Sequence, residues 1–451
     1  MTVAPSAPVQ LPALSAPPAP FAPVQLPAPL RAWLDDVRVR FATESQEVPL
    51  DRLDGWHFDP ATGDLRHRTG RFFTVEGLSV TVPDGPVRHW EQPILAQPEV
   101  GILGLLVRRD REGRLHCLMQ AKAEPGNADG IQLSPTVQAT RSNYTRVHGG
   151  KAVPYLDLFR REGPGLHRLA DVRQSEQGTW FARKRNRNMI VETDREVPAQ
   201  DGFRWFPLSG LHALLAARDL VNMDARSVLA CLPPPGPDPG SLHSDTALLG
   251  WITEVRSRTE VHTERVPLAA LDGWHRTGGR ISHESGRWFD VLGLRVRAVG
   301  REIGGWSQPM IAPRGRGVAA FLTRRFDGVR HVAVRARVEP GYVDVAELGP
   351  TVQCNPANLD PRAPRPAHLD EVLGAPAGRV LHDAVLSEEG GRFHHARNRY
   401  LIVETEAGPA EDDPDFRWVT AHQLGRLLRH SHYVNVEART LLACLHGLGP
   451  H

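Results

Sequence analysis

Residues 120–150 read QAKAEPGNADGIQLSPTVQATRSNYTRVHGG, and they follow a strongly apolar run, VGILGLLV, at residues 100–107. The stretch concentrates Lys, Glu, Gln, Asn, Tyr and Arg side chains and contains few strong apolar residues. Polar groups placed beside a packed sheet are how pockets for sugars and phosphates are commonly built. The pattern therefore predicts a buried strand whose end opens into a polar ligand pocket.

A shortened version of the same stretch returns at residues 335–360 as RARVEPGYVDVAELGPTVQCNPANLD. Other matches run in the same order along both halves: LDGWH at 53–57 and 271–275, and PTVQ at 135–138 and 350–353. The spacing between the PTVQ tetrads is 350 − 135 = 215 residues. Collinear matches at so long a period predict a tandem duplication in which each copy is a domain, not a solenoid repeat.

Composition suggests where the domains begin and end. Residues 1–28 are rich in Pro and Ala and are expected to form a disordered extension without the pattern of a signal peptide. The first domain is predicted at 29–232. A Pro-rich linker is predicted at 233–242, because PPPGPDPG is stiff and has few hydrogen-bond donors. The second domain is predicted at 243–451.

Within each copy, hydrophobic periodicity predicts helices at both ends and strands in the middle. The opening helices are expected at 32–43 and 244–256, and the central strands at 100–108 and 317–323 with their neighbours. Strands grouped between helices predict an α+β fold with mixed sheets flanked by helices. The motifs GxGxxG and GxxxxGK[ST] are absent from the sequence, so a Rossmann or P-loop nucleotide cofactor is not expected.

Charge and cysteine content narrow the function classes. With 54 basic and 52 acidic residues the net charge is +2, so no global field favours nucleic acid or membrane as a partner. Four widely spaced cysteines form no CxxC pair, which predicts reduced thiols and no zinc site. No apolar run approaches the roughly 18–20 residues that span a bilayer. We expect a cytoplasmic protein without metal or organic cofactor.

Three residues of the first copy are candidates for catalysis. Lys122 and Glu124 lie two apart at a predicted strand end and therefore point to one face. The second copy keeps both charges, as Arg337 and Glu339, although a surface salt bridge would also explain them. Tyr144 is the leading acid–base candidate, because the copies differ there and a phenol beside a cation can be tuned toward neutral pH.

Binding candidates are aromatic, amide or guanidinium side chains. The tryptophans could stack on a base or sugar or could simply pack in the core, and the RKRNRN run at 183–188 could hold a diphosphate or be a solvated edge. In the first copy these candidates are Trp56, Trp90, Gln138, Asn143, Arg146, Arg185, Asn186 and Arg187. A second, vestigial pocket is predicted from Trp274, Trp306, Arg337, Glu339, Gln353, Arg397 and Asn398.

Three segments together resemble a known family. GWHF at 55–58, SPTVQATRSNYTRVHGG at 134–150 and SEQG with RKRNRNMIVE between 175 and 192 resemble the NDP-hexose 2,3-dehydratases. The resemblance extends from about residue 30 over nearly the whole chain, including the duplication. It implies two Nudix-like domains, a homodimer, and two sugar-nucleotide pockets of which one is active. The metal-binding helix pattern of Nudix hydrolases, GX5EX7REUXEEXGU, is absent here.

The activity implied by the resemblance is removal of the C2 hydroxyl from dTDP-4-keto-6-deoxy-D-glucose in deoxysugar and antibiotic biosynthesis, with a 3-ketoreductase acting next. Arg185 and Arg187 would then hold the diphosphate, Lys122 would stabilise an enolate, and Glu124 and Tyr144 would be base and acid in an order left open. Two alternatives remain: a Nudix-like nucleoside-diphosphate-sugar hydrolase, and a non-catalytic nucleotide-sugar binding protein.

Overall fold

The computed structural model describes residues 24–141, 152–234, 236–299 and 304–449. In these ranges the chain is an α+β protein made of two repeated domains, each with a smaller and a larger β-sheet. The predicted α+β class and the duplication are therefore confirmed. The predicted domain boundaries stay predictions.

The elements of the two copies correspond one to one over most of their length. In the first copy they are α1 Ala28–Arg40, β1 Thr43–Val48, β2 Trp56–Phe58, β3 Leu65–His67, β4 Thr74–Thr81, β5 His89–Ala96, β6 Gly101–Arg109, β7 Leu115–Ala123, β8 Ile131–Ser134, β9 Val137–Ala139, α2 Leu156–Arg160, β10 Leu166–Ser175, β11 Arg185–Thr193, β12 Phe203–Pro207, α3 Leu208–Leu214 and α4 Met223–Ala230. In the second copy they are α5 Asp245–Arg258, β13 His262–Val266, β14 Trp274–Thr277, β15 Arg280–His283, β16 Phe289–Ala298, β17 Gly305–Pro313, β18 Gly317–Phe326, β19 Val329–Val338, β20 Ala346–Pro350, β21 Val352–Cys354, α6 Leu369–Leu373, β22 Val380–Ser387, β23 Arg397–Glu404, β24 Phe416–Thr420, α7 Ala421–Leu427 and α8 Val436–His446.

Each larger sheet has seven strands and is built around one parallel pair. In the first copy the order is β10-β11-β6-β7-β12, with β8 on β7 and β9 on β6, and β6 runs parallel to β11. The apolar run predicted as a central strand becomes β6, whose residues 101–107 are all buried. Burial on both faces explains why this strand shows no polar alternation. The second copy repeats the arrangement with β18 parallel to β23.

The smaller sheets exchange a strand between the copies. Strand β1 leaves its own copy and pairs antiparallel with β16 of the second copy, with Ser45 opposite Val296. In return β13 pairs antiparallel with β4 of the first copy, with Glu264 opposite Ser79. Sequence analysis did not predict this exchange. As a consequence, each smaller sheet contains residues from both halves of the chain.

The closing helices α4 and α8 pack against each other at the centre of the molecule. Each begins at an asparagine whose side chain accepts a hydrogen bond from a backbone amide: Asn222 from Ala225 N at 2.8 Å and Asn435 from Ala438 N at 2.9 Å. Fully buried arginines then link the copies in a symmetric way. Arg226 donates to Ser387 O of the second copy, and Arg439 donates to Ser175 O of the first, each at 2.6 Å.

No helix within the described ranges is both long and apolar enough to cross a membrane.

Candidate active site

One large cavity lies where the first copy's larger sheet meets the exchanged sheet of the second copy. Its volume is about 880 Å³. The floor of the cavity is formed by buried polar residues, among them Glu124, Glu176, Lys184 and Asp224. The mouth, defined by its exposed or half-exposed lining residues, contains Arg68, Arg295, Arg297, Asp54 and Thr69. The cavity thus has charged groups on its floor and arginines at its entrance.

The predicted pair Lys122 and Glu124 does line this cavity. Both follow from the end of β7, where alternate residues face the same side, and Lys122 Nζ lies 3.6 Å from Glu124 Oε1. The same carboxylate oxygen accepts a hydrogen bond from Gln138 Nε2 at 2.9 Å. Asn222 Nδ2 in turn donates to Gln138 Oε1 at 3.1 Å. Within the described ranges Glu124 Oε2 has no hydrogen-bond partner.

A second polar group on the floor surrounds Glu176. Asn186 Nδ2 donates to Glu176 Oε1 at 2.7 Å, and Asn186 Oδ1 accepts from the amide of Gly101 at 3.1 Å. The buried ammonium of Lys184 donates to Glu99 O at 2.6 Å. Burial lowers the pKa of Lys184 to about 8, although the nearby Glu176 carboxylate opposes the change.

The floor brings several acidic groups close together. Four carboxyl groups, of Glu124, Glu176, Asp224 and Glu389, face the cations of Lys122, Lys184 and Arg392. Burial, followed by the neighbouring carboxylates, raises the pKa of Asp224 well above its ordinary value. Burial also raises the pKa of Glu176. Burial and the neighbouring carboxylates therefore favour the protonated forms of Asp224 and Glu176 more than solvent would.

The second copy contributes part of the lining. Trp306, Ser307 and Gln308 come from β17, and Glu389 and Arg392 come from the loop before β23. The Arg392 guanidinium lies 4.2 Å from the centroid of the Phe73 ring, which holds it at the wall. Because of the strand exchange, the cavity belongs to both copies.

Several predicted residues lie elsewhere. Arg185 and Arg187 do not line the cavity, because side chains alternate along a strand and only Lys184 and Asn186 face it. Arg187 instead forms a two-bond ion pair with Asp171, with both distances 2.6 Å. Trp90 also lies outside the lining; its indole donates to Gln92 Oε1 at 2.8 Å.

The structure places a tryptophan of the second copy in a different pocket from the predicted one. Trp306, predicted for the second pocket, lines the cavity of the first copy, since β17 lies in the sheet that received β1. Trp56 lines the same cavity and donates to Ser307 O at 2.8 Å, so it also packs between the copies. Trp274 makes the matching contact with Glu91 O at 2.9 Å. Tyr144, Asn143 and Arg146 lie outside the described residues.

The corresponding groups of the second copy are held in fixed pairs. Glu339 accepts from Arg337 Nε at 2.6 Å and from Thr179 N at 3.0 Å, so both carboxylate oxygens are used. Gln353 is near the same carboxylate at 3.3 Å, and Asn398 donates to Glu388 at 2.9 Å. Arg397 forms ion pairs with Asp219 and Asp129 of the first copy, at 2.7 and 2.9 Å.

Among the cavity residues that sequence reasoning missed are the arginines of the mouth and five charged groups of the floor and wall, which are Glu176, Lys184, Asp224, Glu389 and Arg392. Three of them occupy positions where the copies differ. With the SE dipeptides at 175–176 and 387–388 aligned, Lys184 corresponds to Ala396, Glu389 to Gln177 and Arg392 to Trp180. Reactive groups were expected where the two copies differ, and this comparison was made at Tyr144 only. The same comparison along residues 177–184 would have identified Lys184, Glu389 and Arg392.

A duplicated α+β protein whose large cavity is lined by buried carboxyl groups and two lysines has the construction of an enzyme that moves protons on a polar small molecule. The family model described as NDP-hexose 2,3-dehydratase matches residues 28–232 and 245–445. The chain belongs to the NDP-hexose 2,3-dehydratase family.

Three curated relatives are similar over almost the whole chain. Each is named dTDP-4-dehydro-6-deoxy-alpha-D-glucopyranose 2,3-dehydratase. The protein from Streptomyces violaceoruber is 48% identical over 439 residues, 94% of this chain and 98% of the relative. The protein from Amycolatopsis orientalis is 49% identical over 423 residues, 92% and 89% of the two chains. The protein from Saccharopolyspora spinosa is 47% identical over 441 residues, 92% and 90%.

Proposed function

We propose that this protein is a hydro-lyase that removes water from dTDP-4-keto-6-deoxy-D-glucose and forms dTDP-3,4-diketo-2,6-dideoxy-D-glucose. The observation that carries the proposal is similarity at 47–49% identity over nearly the full length to three dehydratases of that name. The carboxyl and ammonium groups on the cavity floor, Glu124 and Lys122 among them, are of the kind that such an elimination requires.

The chemistry follows from the C4 ketone of the substrate. The ketone acidifies the hydrogen on C3, so a base can remove that proton and form an enolate at C4. The enolate then expels the hydroxyl from C2 if an acid protonates the leaving oxygen. The product is an enol at C3, which becomes a ketone when C2 gains a proton. Atoms balance with the loss of one water and no change in redox state.

We assign proton removal at C3 to Glu124 and stabilisation of the C4 enolate to Lys122. Glu124 keeps one carboxylate oxygen without a partner in the described ranges, whereas its counterpart Glu339 uses both. An ammonium group 3.6 Å from that carboxylate is close enough to serve a developing oxyanion on the same substrate. Tyr144 remains a candidate for proton transfer from outside the described residues.

Substrate orientation follows from the charge distribution of the cavity. The diphosphate would bind at the mouth, which contains Arg68, Arg295 and Arg297. One guanidinium group can donate two parallel hydrogen bonds to the oxygens of a phosphate. The hexose would then reach the carboxyl groups on the floor, and Trp56 or Trp306 would pack against the sugar or the base.

We further propose that the protein is a cytoplasmic homodimer of Nudix-like domains and passes its product to a 3-ketoreductase for antibiotic deoxysugars. The family resemblance is the support for the dimer and for the Nudix-like fold. All four cysteines are free, which suits a reducing compartment. A free 3,4-diketone is reactive, and immediate reduction of the C3 ketone would protect it.

The test is incubation of the protein with dTDP-4-keto-6-deoxy-D-glucose and a 3-ketoreductase with its reduced nicotinamide cofactor, followed by mass spectrometry of the nucleotide. A reduced dTDP sugar that lacks one oxygen is expected. Release of dTMP, dependent on divalent metal, would instead indicate a hydrolase. Binding without any turnover would indicate a binding protein. Glu124→Gln should retain binding and lose turnover.

A further inference from the structure

We propose that Glu389, supplied by the second copy, is the general acid that protonates the C2 hydroxyl as it leaves the sugar. The inference rests on the proposed dehydration and adds the identity of the proton donor. The donor would come from the opposite half of the chain from the base Glu124.

The loop that carries Glu389 is fixed against the end of β7. Gly126 N donates to Gly390 O at 2.8 Å, and His395 N donates to Gly126 O at 2.8 Å. The backbones approach so closely that a Cβ atom on Gly390 would lie 3.0 Å from the Cβ of Glu124. These contacts place the two carboxyl side chains next to each other on neighbouring backbones at the cavity wall.

The surroundings of Glu389 favour a protonated carboxyl group. Its Oε1 accepts from Gly391 N at 2.9 Å, while its Oε2 is buried and has no hydrogen-bond partner among the described residues. Burial, the Glu124 carboxylate and the Glu176 carboxylate raise the pKa of Glu389 to about 7, and the Arg392 guanidinium opposes the rise. Asp224 and Lys184 also interact with it. A proton donor needs a pKa near the working pH.

Comparison of the copies separates Glu389 from the other floor carboxyls. Glu124, Glu176 and Asp224 correspond to Glu339, Glu388 and Glu437, so both copies keep a carboxyl group there. Glu389 alone corresponds to an amide, Gln177, which cannot give up a proton at neutral pH. Gln177 instead donates to Glu388 at 2.8 Å. The acid is therefore present on one side of the duplication only.

The step balances with these two residues. Glu124 takes the C3 proton and the electron pair moves to the C4 oxygen. As the C2–O bond breaks, the pair moves into a C2–C3 double bond, and the Glu389 proton joins the leaving oxygen to form water. Glu124 then returns its proton to C2, and Glu389 regains a proton from the C3 enol hydroxyl. Both residues end in their starting states.

The experiment compares two leaving groups in the full-length protein. Glu389→Gln should lower the rate of water elimination from the 4-keto substrate by about 10²–10⁴-fold, the usual contribution of a general acid. The analogue with fluorine in place of the C2 hydroxyl needs no strong acid, because fluoride is a good leaving group. Fluoride release by Glu389→Gln should therefore stay within about tenfold of the wild-type rate.

Glu347→Gln is the matched control. Glu347 is also a fully buried carboxyl whose pKa burial raises to about 7, but it accepts a hydrogen bond from Ser175 Oγ at 2.5 Å outside the cavity. Its counterpart in the first copy, Gln132, is already an amide. The control should eliminate both leaving groups at wild-type rates.

Each outcome decides the proposal. If the wild-type protein does not dehydrate the 4-keto substrate, the proposed function fails, and the assignment of Glu389 fails with it. If the wild type is active, equal loss of both leaving groups in Glu389→Gln, or loss of neither, would overturn the assignment. If Glu389→Gln does not fold, Glu389→Asp decides: a slower enzyme whose rate falls above about neutral pH supports the acid, and a flat profile refutes it.

Discussion

Gly126 of the first copy contacts residues 390–395 of the second copy, and this contact is called the joint. Replacing Gly126 with alanine should open the joint and lower the free energy of unfolding of the whole protein. Gly126 has no left-handed backbone angle, so alanine would be strained only by lack of space. A methyl group there would overlap the carbonyl oxygen of Phe393, and would lie 2.8 Å from Gly390 O and from Met310 Cε. Two of these three atoms belong to the backbone and cannot rotate away.

The size of the effect follows from what must be lost. Separation of the two loop segments breaks the two 2.8 Å hydrogen bonds that join Gly126 to Gly390 and His395. Each bond is worth about 1 kcal/mol and overpacking costs about 1–3 kcal/mol, so the free energy of unfolding should fall by about 3–5 kcal/mol. Urea denaturation followed by tryptophan fluorescence measures this difference.

Two further variants make the result interpretable. Gly341→Ala should cost a similar amount, because Gly341 N donates to Gly178 O at 2.8 Å in the matching joint and its methyl would overlap Phe181 O. Gly250→Ala adds a methyl in helix α5 with nothing within 4 Å and should instead stabilise by about 0.5–1 kcal/mol. If Gly126→Ala unfolds within about 1 kcal/mol of wild type, the joint is not the tight contact that the structure describes.

The remaining predictions concern the cavity and its charges. Lys184→Ala introduces the residue that the second copy has at the corresponding position, Ala396. It should lower kcat by at least about tenfold, while calorimetry should show unchanged substrate binding. An unchanged kcat would mean that Lys184 takes no part in the reaction. Glu339→Gln should leave turnover within about threefold of wild type, because both oxygens of Glu339 are already held in fixed pairs; its loss of activity would mean that the roles of the two pockets are reversed. The kcat of the wild type should fall as pH rises through about 7, where Glu389 loses its proton, and Glu389→Gln should lack this limb. Burial raises the pKa of Glu347 from 4.5 to about 7 in the folded protein. The stability that this shift contributes is fully present below pH 4.5 and is lost as the pH rises through 7. The urea midpoint of Glu347→Gln should therefore change less between pH 4.5 and 7 than the midpoint of the wild type.

Local patterns were sufficient for the elements and the duplication. The opening helices and the central strands lie within a few residues of their predicted bounds, because each carries its own hydrophobic period. Lys122 and Glu124 were also found correctly as one facing pair, since two residues along a strand share a side. Both inferences need only neighbours in sequence.

The positions of the Arg185 and Arg187 side chains could be determined only from the structure of the sheet. The run RKRNRN contains cations at alternating and adjacent positions, and only the pairing of β11 with β6 and β10 decides which of them face the cavity. The answer is Lys184 and Asn186, while Arg187 pairs with Asp171 on β10. Composition alone cannot assign a side chain to one face of the sheet, because a shift of the strand register by one residue moves every side chain to the opposite face.

The sequence by itself determined the α+β class, the two copies, the family and the facing pair Lys122 and Glu124. Only the tertiary structure decided that β1 and β13 cross between the copies, and that Trp306, Glu389 and Arg392 complete the cavity of the first copy. Strand exchange leaves no local trace, because the backbone hydrogen bonds of an added strand do not depend on which sheet receives it. The choice depends on contacts between residues about half a chain apart, such as Ser45 with Val296, which no local pattern contains.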